Sequence, residues 1–172
     1  MGGATTFIVV GTFEPRKAHA EVMSAFEVLW SEGVQVNLVL VGRQGWMTGM
    51  DRFRNHPERG KRLTLCEFAS DEWLAVLYDS ATCLIAASYA EGFGLPIIEA
   101  FRNGLPVIAR DIGVFREVAG DNAFYFSDDL AGAIRTWLRL FREGSHPRAA
   151  GVATVTWRES AEVLLREMAS MG

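Results

Sequence analysis

A chain of 172 residues with 49% apolar and 22% charged side chains has the size and composition of one globular domain, which excludes disordered, collagen-like and coiled-coil classes. The formal net charge of -4 argues against a nucleic-acid-binding protein, because such proteins carry a basic excess. No apolar run reaches the roughly 20 residues of a membrane span, and the isolated cysteines Cys66 and Cys83 predict reduced core thiols and no metal site.

Short apolar runs alternate with helical patterns along the chain, which predicts an α/β fold with a parallel sheet. Several of the runs lack polar alternation, as expected for strands covered on both faces. The predicted strands are residues 7–10, 36–41, 63–66, 82–86, 106–109 and 123–126. The predicted helices are residues 18–32, 47–55, 71–79, 96–103 and 129–143, with a last helix at 156–171. We therefore expect a doubly wound, Rossmann-like sheet of about six strands flanked by helices, with binding loops at the carboxyl ends of the strands.

The loop after the first strand carries two adjacent cations, Arg16 and Lys17, where the first helix is predicted to begin. Cations there oppose the helix macrodipole by roughly 0.3 to 1 kcal/mol each at an exposed site. A phosphate would offset this, because it accepts the free N–H groups, a forked bond from Arg16 and the point charge of Lys17. The alternative is a pair of solvated surface cations, paired with Glu14.

The loop after the fourth strand runs Ser-Tyr-Ala-Glu-Gly-Phe-Gly-Leu-Pro-Ile-Ile-Glu over residues 88–99. Neither Gly94 nor Leu95 can cap the following helix through its side chain, and the glycines let a ligand approach the backbone, which predicts an anion site built from N–H groups. Glu99 stands three residues after Pro96 and not after Ser or Thr, so it is free of a capping box and available to the vicinal hydroxyls of a ribose. Glu91 points at the same cleft. The alternative for both acids is solvated surface charge.

Other catalytic motifs are missing from the sequence. No Gly-x-Gly-x-x-Gly follows the first strand, and there is neither a P-loop nor a nucleophile elbow. His19 and His146 have no partner that the sequence can name, and a surface or packing role is favoured for His19. These observations argue against nicotinamide, P-loop and serine-nucleophile enzymes.

A family resemblance appears once the loops are read together. Glu91 and Glu99 form an E-x7-E pattern around Gly-Phe-Gly-Leu-Pro, and Gly-Thr-Phe-Glu-Pro-Arg-Lys stands at residues 11–17. With Leu-Val-Leu-Val-Gly-Arg at 38–43 and Pro-Val-Ile-Ala at 106–109, the chain resembles the C-terminal domain of a retaining GT-B glycosyltransferase of family 4. The match runs in order from about residue 7 to residue 171. Glu-Pro-Arg-Lys followed by Gly-Trp at 45–46 resembles bacterial polysaccharide mannosyltransferases in particular.

The resemblance implies a role for each matching residue. Arg16 and Lys17 would hold the diphosphate of a nucleotide-sugar donor, and Glu91 would contact the donor sugar near the reacting carbon, so these three are the candidate catalytic residues. Glu99 would bind the ribose, and backbone around Phe68 would bracket the base. The other candidate binding residues are Gly11, Thr12, Arg43, Phe93, Gly94 and Leu95, of which the last three would complete the phosphate cradle through backbone N–H groups.

The resemblance also implies the reaction and its partners. A hexose, with mannose from GDP-mannose as the expected donor, would pass with retention to a hydroxyl of a growing polysaccharide or glycolipid. No Asp-x-Asp motif is present, which favours a metal-independent enzyme without cofactors. Residues 1–172 would be one donor-binding domain, inactive without an N-terminal domain on which helix 156–171 packs. The expected location is cytoplasmic, with peripheral contact at the inner face of the membrane.

Two alternatives belong to other classes. The first is a nucleotide-sugar-binding module without catalysis, against which the presence of all four of Arg16, Lys17, Glu91 and Glu99 counts. The second is a non-hydrolysing sugar-nucleotide epimerase of GT-B type, which would need histidine and carboxylate acid–base residues facing the donor. The sequence shows no such set.

Overall fold

The computed structural model describes residues 5–148 and shows a single parallel sheet of six strands in the order β3-β2-β1-β4-β5-β6. The strands are β1 (Thr5–Val10), β2 (Val36–Val41), β3 (Leu63–Cys66), β4 (Cys83–Ala86), β5 (Val107–Arg110) and β6 (Ala123–Phe126). Strand β1 pairs with β2 on one side, from Thr5 opposite Val36 to Val10 opposite Val41, and with β4 on the other. The chain therefore reverses its direction across the sheet between β1 and β4, and such switch points are where open α/β sheets bind ligands.

Within residues 5–148, six α-helices flank the two faces of the sheet. They are α1 (His19–Ser31), α2 (Asp51–Arg54), α3 (Asp71–Ser80), α4 (Leu95–Arg102), α5 (Gly113–Ala119) and α6 (Leu130–Glu143), with 3-10 turns at Pro15–Lys17 and Gly120–Asn122. Successive strand residues point to opposite faces, so Phe7 and Ile8 enter different cores. Phe7 packs edge to face against Phe26 and Trp137, with ring centroids 5.7 and 5.5 Å apart. The doubly wound α/β prediction is confirmed.

The strand predictions hold with shifts of one or two residues. β1 begins at Thr5, β4 begins at Cys83, and β5 runs from Val107 to Arg110 in place of 106–109. Both cysteines are free: Cys83 is buried and Cys66 partly so. The predicted helix at 156–171 lies outside the described residues, and within them no helix is long and apolar enough to cross a membrane.

Two helix predictions need correction. The helix expected at 47–55 is only the single turn α2, because Gly49 takes a left-handed φ of 77° and interrupts it. Helix α5 was not predicted at all: its apolar residues Val114, Phe115, Val118 and Ala119 have helical spacing, but seven residues are too few for that pattern to stand out, and Ile112 offers no capping side chain.

The first helix begins at His19 and not at residue 18. Ala18 has φ 58° and ψ 25°, and it is the non-glycine residue in the described part of the chain with a positive φ. This left-handed residue separates α1 from the 3-10 turn Pro15–Lys17. Arg16 and Lys17 thus lie in a separate turn before α1, and the macrodipole argument made for them from the sequence does not apply as stated.

Candidate functional site

The loops after β1 and β4 meet at the switch point of the sheet. The N–H of Tyr89 donates to the carbonyl of Arg16 over 2.8 Å, which ties the two loops together. The first loop is also held against the end of β2, because the N–H of Phe13 donates to the carbonyl of Arg43 over 2.9 Å. The predicted phosphate-binding and sugar-binding residues are therefore brought to one place, although they are about 75 residues apart along the chain.

Arg16, Lys17, Ser88 and Glu91 form a hydrogen-bonded group that we call the cation–acid cluster. Arg16 Nη1 donates to Glu91 Oε2 over 3.2 Å, and Lys17 Nζ donates to Glu91 Oε1. Ser88 Oγ donates to the same Oε1 over 2.7 Å. The Arg16 Nε donates to Glu14 Oε2 over 2.8 Å, so the pairing expected with Glu14 is present as well.

Burial distinguishes this cluster from solvated surface charge. The side chains of Lys17 and Glu91 are 11% and 10% exposed, while that of Arg16 is 44% exposed. Burial alone would raise the pKa of Glu91, but hydrogen bonds from Lys17 and Ser88, with the charges of Lys17 and Arg16, hold it below its ordinary value. Glu91 is therefore a carboxylate at neutral pH, and its contact with Ser88 was not predicted from the sequence.

A cleft of about 360 Å³ opens beside the cluster. It is lined by Arg16, Lys17, Glu91, residues 92–96 and Glu99, among others. Most of the residues singled out in the sequence therefore line one cavity, which has the volume expected of a small-molecule site.

The N-terminal end of α4 forms one wall of this cleft. Gly94 caps the helix in a left-handed conformation, φ 65° and ψ 33°, without a side-chain cap, and the helix begins at Leu95, one residue before the predicted start. No group in residues 5–148 accepts a hydrogen bond from the N–H groups of Phe93, Gly94 or Leu95. These donors match the backbone anion site expected from the sequence.

Glu99 lies one turn further along α4 and has a partner that the sequence analysis missed. The hydroxyl of Tyr78, on α3, donates to Glu99 Oε2 over 2.9 Å. Tyr78 is 3% exposed, and burial together with the charge of Glu99 raises the pKa of its phenol. A second cleft of about 200 Å³ between α3 and α4 is also bordered by Tyr78 and Glu99. The one available signal was a tyrosine on the apolar face of α3.

His19 is buried beneath the cluster. The centroid of its ring lies 4.4 Å from that of the Phe13 ring, and neither nitrogen of the imidazole has a hydrogen-bond partner among the described residues. Burial and the nearby charge of Lys17 lower the pKa of His19 from its usual 6.5 to about 4. The Gly11 backbone has the smaller, opposite effect of raising this pKa. His19 is therefore neutral at pH 7 and packs in the core, as favoured from the sequence.

The remaining predicted residues lie at the rim. Phe68 is 83% exposed, and neither Phe68 nor the exposed Arg43 lines either of the two clefts. Gly11 lies under Lys17, whose side-chain carbons would be 3.5 Å from a Cβ at that position. The Thr12 methyl group would lie 2.9 Å from a Cβ at position 45, so the chain at Gly45 passes close to the first loop. The roles expected for these four residues remain predictions.

Within residues 5–148, no group of three or more His, Cys, Asp or Glu side chains is arranged to hold a metal ion. Arg16, Lys17 and the backbone N–H groups are the features of the site that suit an anion. Glu91 and Glu99 are the features that suit hydroxyl groups.

Comparison with known proteins gives a consistent result. Residues 2–144 match the family model described as glycosyl transferases group 1. The chain is 48% identical over 174 aligned residues to the serotype-specific mannosyltransferase WbdA of Escherichia coli, covering 98% of this chain and 21% of that protein. It therefore spans about a fifth of the length of that curated relative.

Two solved structures share its fold. Anabaena HepE in complex with UDP and glucose superposes with a TM-score of 0.74 at 20% identity, over 99% of this chain and 49% of HepE. The C-terminal domain of the group 1 glycosyl transferase LpcC from Francisella tularensis superposes with a TM-score of 0.68 at 22% identity, over 89% of this chain and 85% of that one. At these identities the structures bear on fold alone.

Proposed function

Because this chain belongs to the glycosyl transferases group 1 family, we propose that it is the donor-binding half of a retaining sugar transferase. The observation that carries the proposal is the cleft that brings Arg16, Lys17 and the N–H groups of residues 93–95, which have no acceptor within residues 5–148, together with two carboxylates, Glu91 and Glu99. A nucleoside diphosphate sugar has the matching groups: ribose hydroxyls, two phosphates and sugar hydroxyls.

The proposed pose follows the length of the cleft. The ribose lies at Glu99, the proximal phosphate lies at the N-terminal end of α4, and the distal phosphate lies beside Arg16 and Lys17. The sugar then reaches Glu91, whose carboxylate accepts hydrogen bonds from its hydroxyls. Lys17 has three N–H donors, so it can keep its bond to Glu91 while it donates to a phosphate.

The catalytic contribution of these groups is electrostatic. As the bond between sugar and phosphate breaks, negative charge grows on the leaving diphosphate. Arg16, Lys17 and the backbone N–H groups stabilise that charge more strongly in the transition state than in the ground state. These fixed cations take the part that a divalent metal ion plays in other transferases, and we propose a metal-independent reaction without cofactors.

The proposed sugar is mannose, carried by GDP. Its support is the 48% identity to WbdA, a protein described as a mannosyltransferase, of which this chain covers 21%. The structure of HepE with UDP and glucose makes UDP the competing choice of nucleotide. The proposed acceptor is a hydroxyl of a growing polysaccharide or glycolipid.

The remaining partners follow from the proposed reaction. An N-terminal GT-B domain would supply the acceptor side of the active site, so we expect this chain to transfer no sugar alone. We place the enzyme in the cytoplasm, with peripheral contact at the inner face of the membrane where lipid-linked acceptors are found.

The alternative of an epimerase is disfavoured by one observation. Such an enzyme needs a histidine and a carboxylate facing the donor. His19, the histidine beneath the cleft, packs against Phe13 with the two rings tilted by 33°, and it has no hydrogen-bonded carboxylate among the described residues.

Titration calorimetry of the chain with GDP, UDP and ADP, and with GDP-mannose and UDP-glucose, tests the proposal. We expect saturable binding of one base only, with GDP and GDP-mannose as the binding pair. Binding of the UDP pair would correct the donor base and leave the donor-binding role intact. Absence of binding by all five nucleotides would contradict that role.

A further inference from the structure

Arg110, the last residue of β5, is buried next to the proposed site and lines neither of its clefts. Its side chain is 9% exposed. A buried guanidinium is costly unless its donors are satisfied, so its partners indicate what the residue holds in place.

Three acceptors from three parts of the fold satisfy Arg110. Its Nε donates to the carbonyl of Ala87 over 2.8 Å, and its Nη1 donates to the carbonyl of Ser127 over 2.7 Å. Its Nη2 donates to Glu21 Oε2, on α1, over 2.5 Å. Arg110 thus joins the end of β4, the end of β6 and the first turn of α1.

Tyr89 completes this arrangement, which we call the Arg110 cluster (Arg110, Glu21 and Tyr89). The Tyr89 hydroxyl donates to the same Glu21 oxygen over 2.7 Å, and the guanidinium carbon of Arg110 lies 4.5 Å from the centroid of the Tyr89 ring. The Phe126 ring lies 4.8 Å from the same carbon. The side chain of Tyr89 is therefore held at two points: its hydroxyl bonds to Glu21, and its ring packs against the guanidinium of Arg110.

The backbone carries this restraint to the proposed site. Tyr89 lies between Ser88 and Glu91, and its N–H donates to the carbonyl of Arg16 over 2.8 Å. Arg110 also holds Ala87, the residue before Ser88. The Arg110 cluster thus bonds to the backbone at Ala87 and Arg16 and contains Tyr89 itself. Every residue of the cation–acid cluster lies within two residues of one of these three positions.

We infer that Arg110, acting through Tyr89 and Ala87, is a positioning residue that holds Glu91 and Arg16 in register for the distal phosphate and the sugar of the donor. The inference rests on the proposed function. The three acceptors are bonded by three different nitrogens of the planar guanidinium fork, an arrangement that the compact ammonium of a lysine does not reproduce, although the positive charge would be kept. The ribose end of the cleft lies on α3 and α4, which Arg110 does not contact through any of these bonds.

This division of the cleft gives a test that general structural damage would not mimic. The dissociation constants of GDP, UDP and ADP and of the matching monophosphates are measured for the wild-type chain, Arg110→Lys and Tyr89→Leu. The matched control is Arg135→Lys, because Arg135 also pairs with a glutamate, Glu32, over 2.7 and 2.9 Å; Glu32 follows the last residue of α1, at the far end from the site.

We expect the preference for diphosphate over monophosphate to fall about tenfold in Arg110→Lys and Tyr89→Leu, while monophosphate affinity changes by less than about threefold. Arg135→Lys keeps the wild-type preference. An unchanged preference in both site variants would overturn the inference, as would an equal loss of monophosphate and diphosphate affinity. Tyr89 is 54% exposed, so Tyr89→Leu decides the question if Arg110→Lys does not fold.

Hydrogen exchange separates failure of this inference from failure of the proposed function. If the wild-type chain binds no nucleotide, the proposed function is contradicted, and the exchange rate of the Tyr89 amide without ligand decides the role of Arg110. We expect that amide to exchange at least about tenfold faster in Arg110→Lys, with β2 amides unchanged. An unaltered Tyr89 amide would overturn the positioning role.

Discussion

The hydroxyl of Tyr78 donates a 2.9 Å hydrogen bond to Oε2 of Glu99, joining α3 to α4 at the point where the two clefts meet. The bond engages one of the two carboxylate oxygens of Glu99. In the proposed pose a ribose hydroxyl donates to the other oxygen, Oε1. The buried phenol of Tyr78 therefore orients the Glu99 carboxylate, which binds the ribose in the proposed pose.

Replacing Tyr78 by Phe should weaken nucleotide binding only when the ribose hydroxyls are present. We expect GDP to bind about 3 to 10 times more weakly, because the variant lacks the hydrogen bond that orients the Glu99 carboxylate. Dideoxy-GDP, which lacks both hydroxyls, should bind the variant and the wild type equally. Calorimetry with the two nucleotides measures this difference.

Tyr125→Phe provides the matched control for that experiment. The Tyr125 hydroxyl donates to the carbonyl of Gly120 over 2.8 Å, away from both clefts. Equal weakening of GDP and dideoxy-GDP by Tyr78→Phe would show that the phenol supports the fold and does not orient Glu99 toward a ribose.

The sheet could be predicted from the sequence because its strands are buried on both faces. All four residues of β4 and of β5 are buried, and such continuous apolar runs are visible without a structure. Helix α5 was missed because its apolar residues span only about two turns, which is shorter than the window in which helical spacing is recognisable, and no capping side chain marks its start. The start of α1 differs from the predicted one because the left-handed conformation of Ala18, which the sequence does not reveal, ends the preceding 3-10 turn there.

The residues of the candidate site could be singled out from the sequence, but their contacts could not. Arg16, Lys17 and Glu91 stand out because they lie between a strand and a helix, and Glu99 because it lies near the start of α4 without a capping box. That β1 and β4 are neighbours is a long-range property, so the bond from Lys17 to Glu91 could not be derived from spacing, while the bond from Ser88 to Glu91 depends on the local conformation of their shared loop. The Tyr78 and Arg110 contacts likewise join elements distant in the sequence.

His19 should make the stability of the chain depend on pH. Its folded-state pKa of about 4 lies below the usual 6.5, so the unfolded chain binds the proton more tightly. Stability is therefore fully present above pH 6.5 and is lost as the pH falls toward 4. Between pH 7.5 and 5 the free energy of unfolding should fall by about 2 kcal/mol from this group.

Denaturant unfolding at several pH values measures that loss. His19→Leu should remove about 2 kcal/mol of the decline, because neither ring nitrogen has a hydrogen-bond partner within residues 5–148 and an apolar side chain can fill the site. His56→Gln, which leaves the buried imidazole in place, is the control. A His19→Leu chain with the wild-type pH dependence would rule out a buried, neutral His19.

Removal of divalent ions should leave nucleotide binding unchanged. Arg16 and Lys17 supply the positive charge in the proposed site, and residues 5–148 contain no cluster suited to a metal ion. We expect the GDP affinity in excess EDTA and in excess Mg²⁺ to agree within about twofold, since fixed cations replace the ion. A marked loss of affinity in EDTA would require a metal ion in donor binding.

The most direct test of the proposed function is the effect of Arg16→Ala on sugar transfer by the full-length protein. Arg16 is 44% exposed and can be removed without leaving a cavity in the core, and Arg139, 63% exposed on α6, is the matched control. With GDP-mannose as donor, we predict that Arg16→Ala lowers the transfer rate about 100-fold, as for loss of one donor to a developing oxyanion. Arg139→Ala should keep the wild-type rate. Transfer by Arg16→Ala within about threefold of wild type would contradict the assignment of this site to the donor diphosphate.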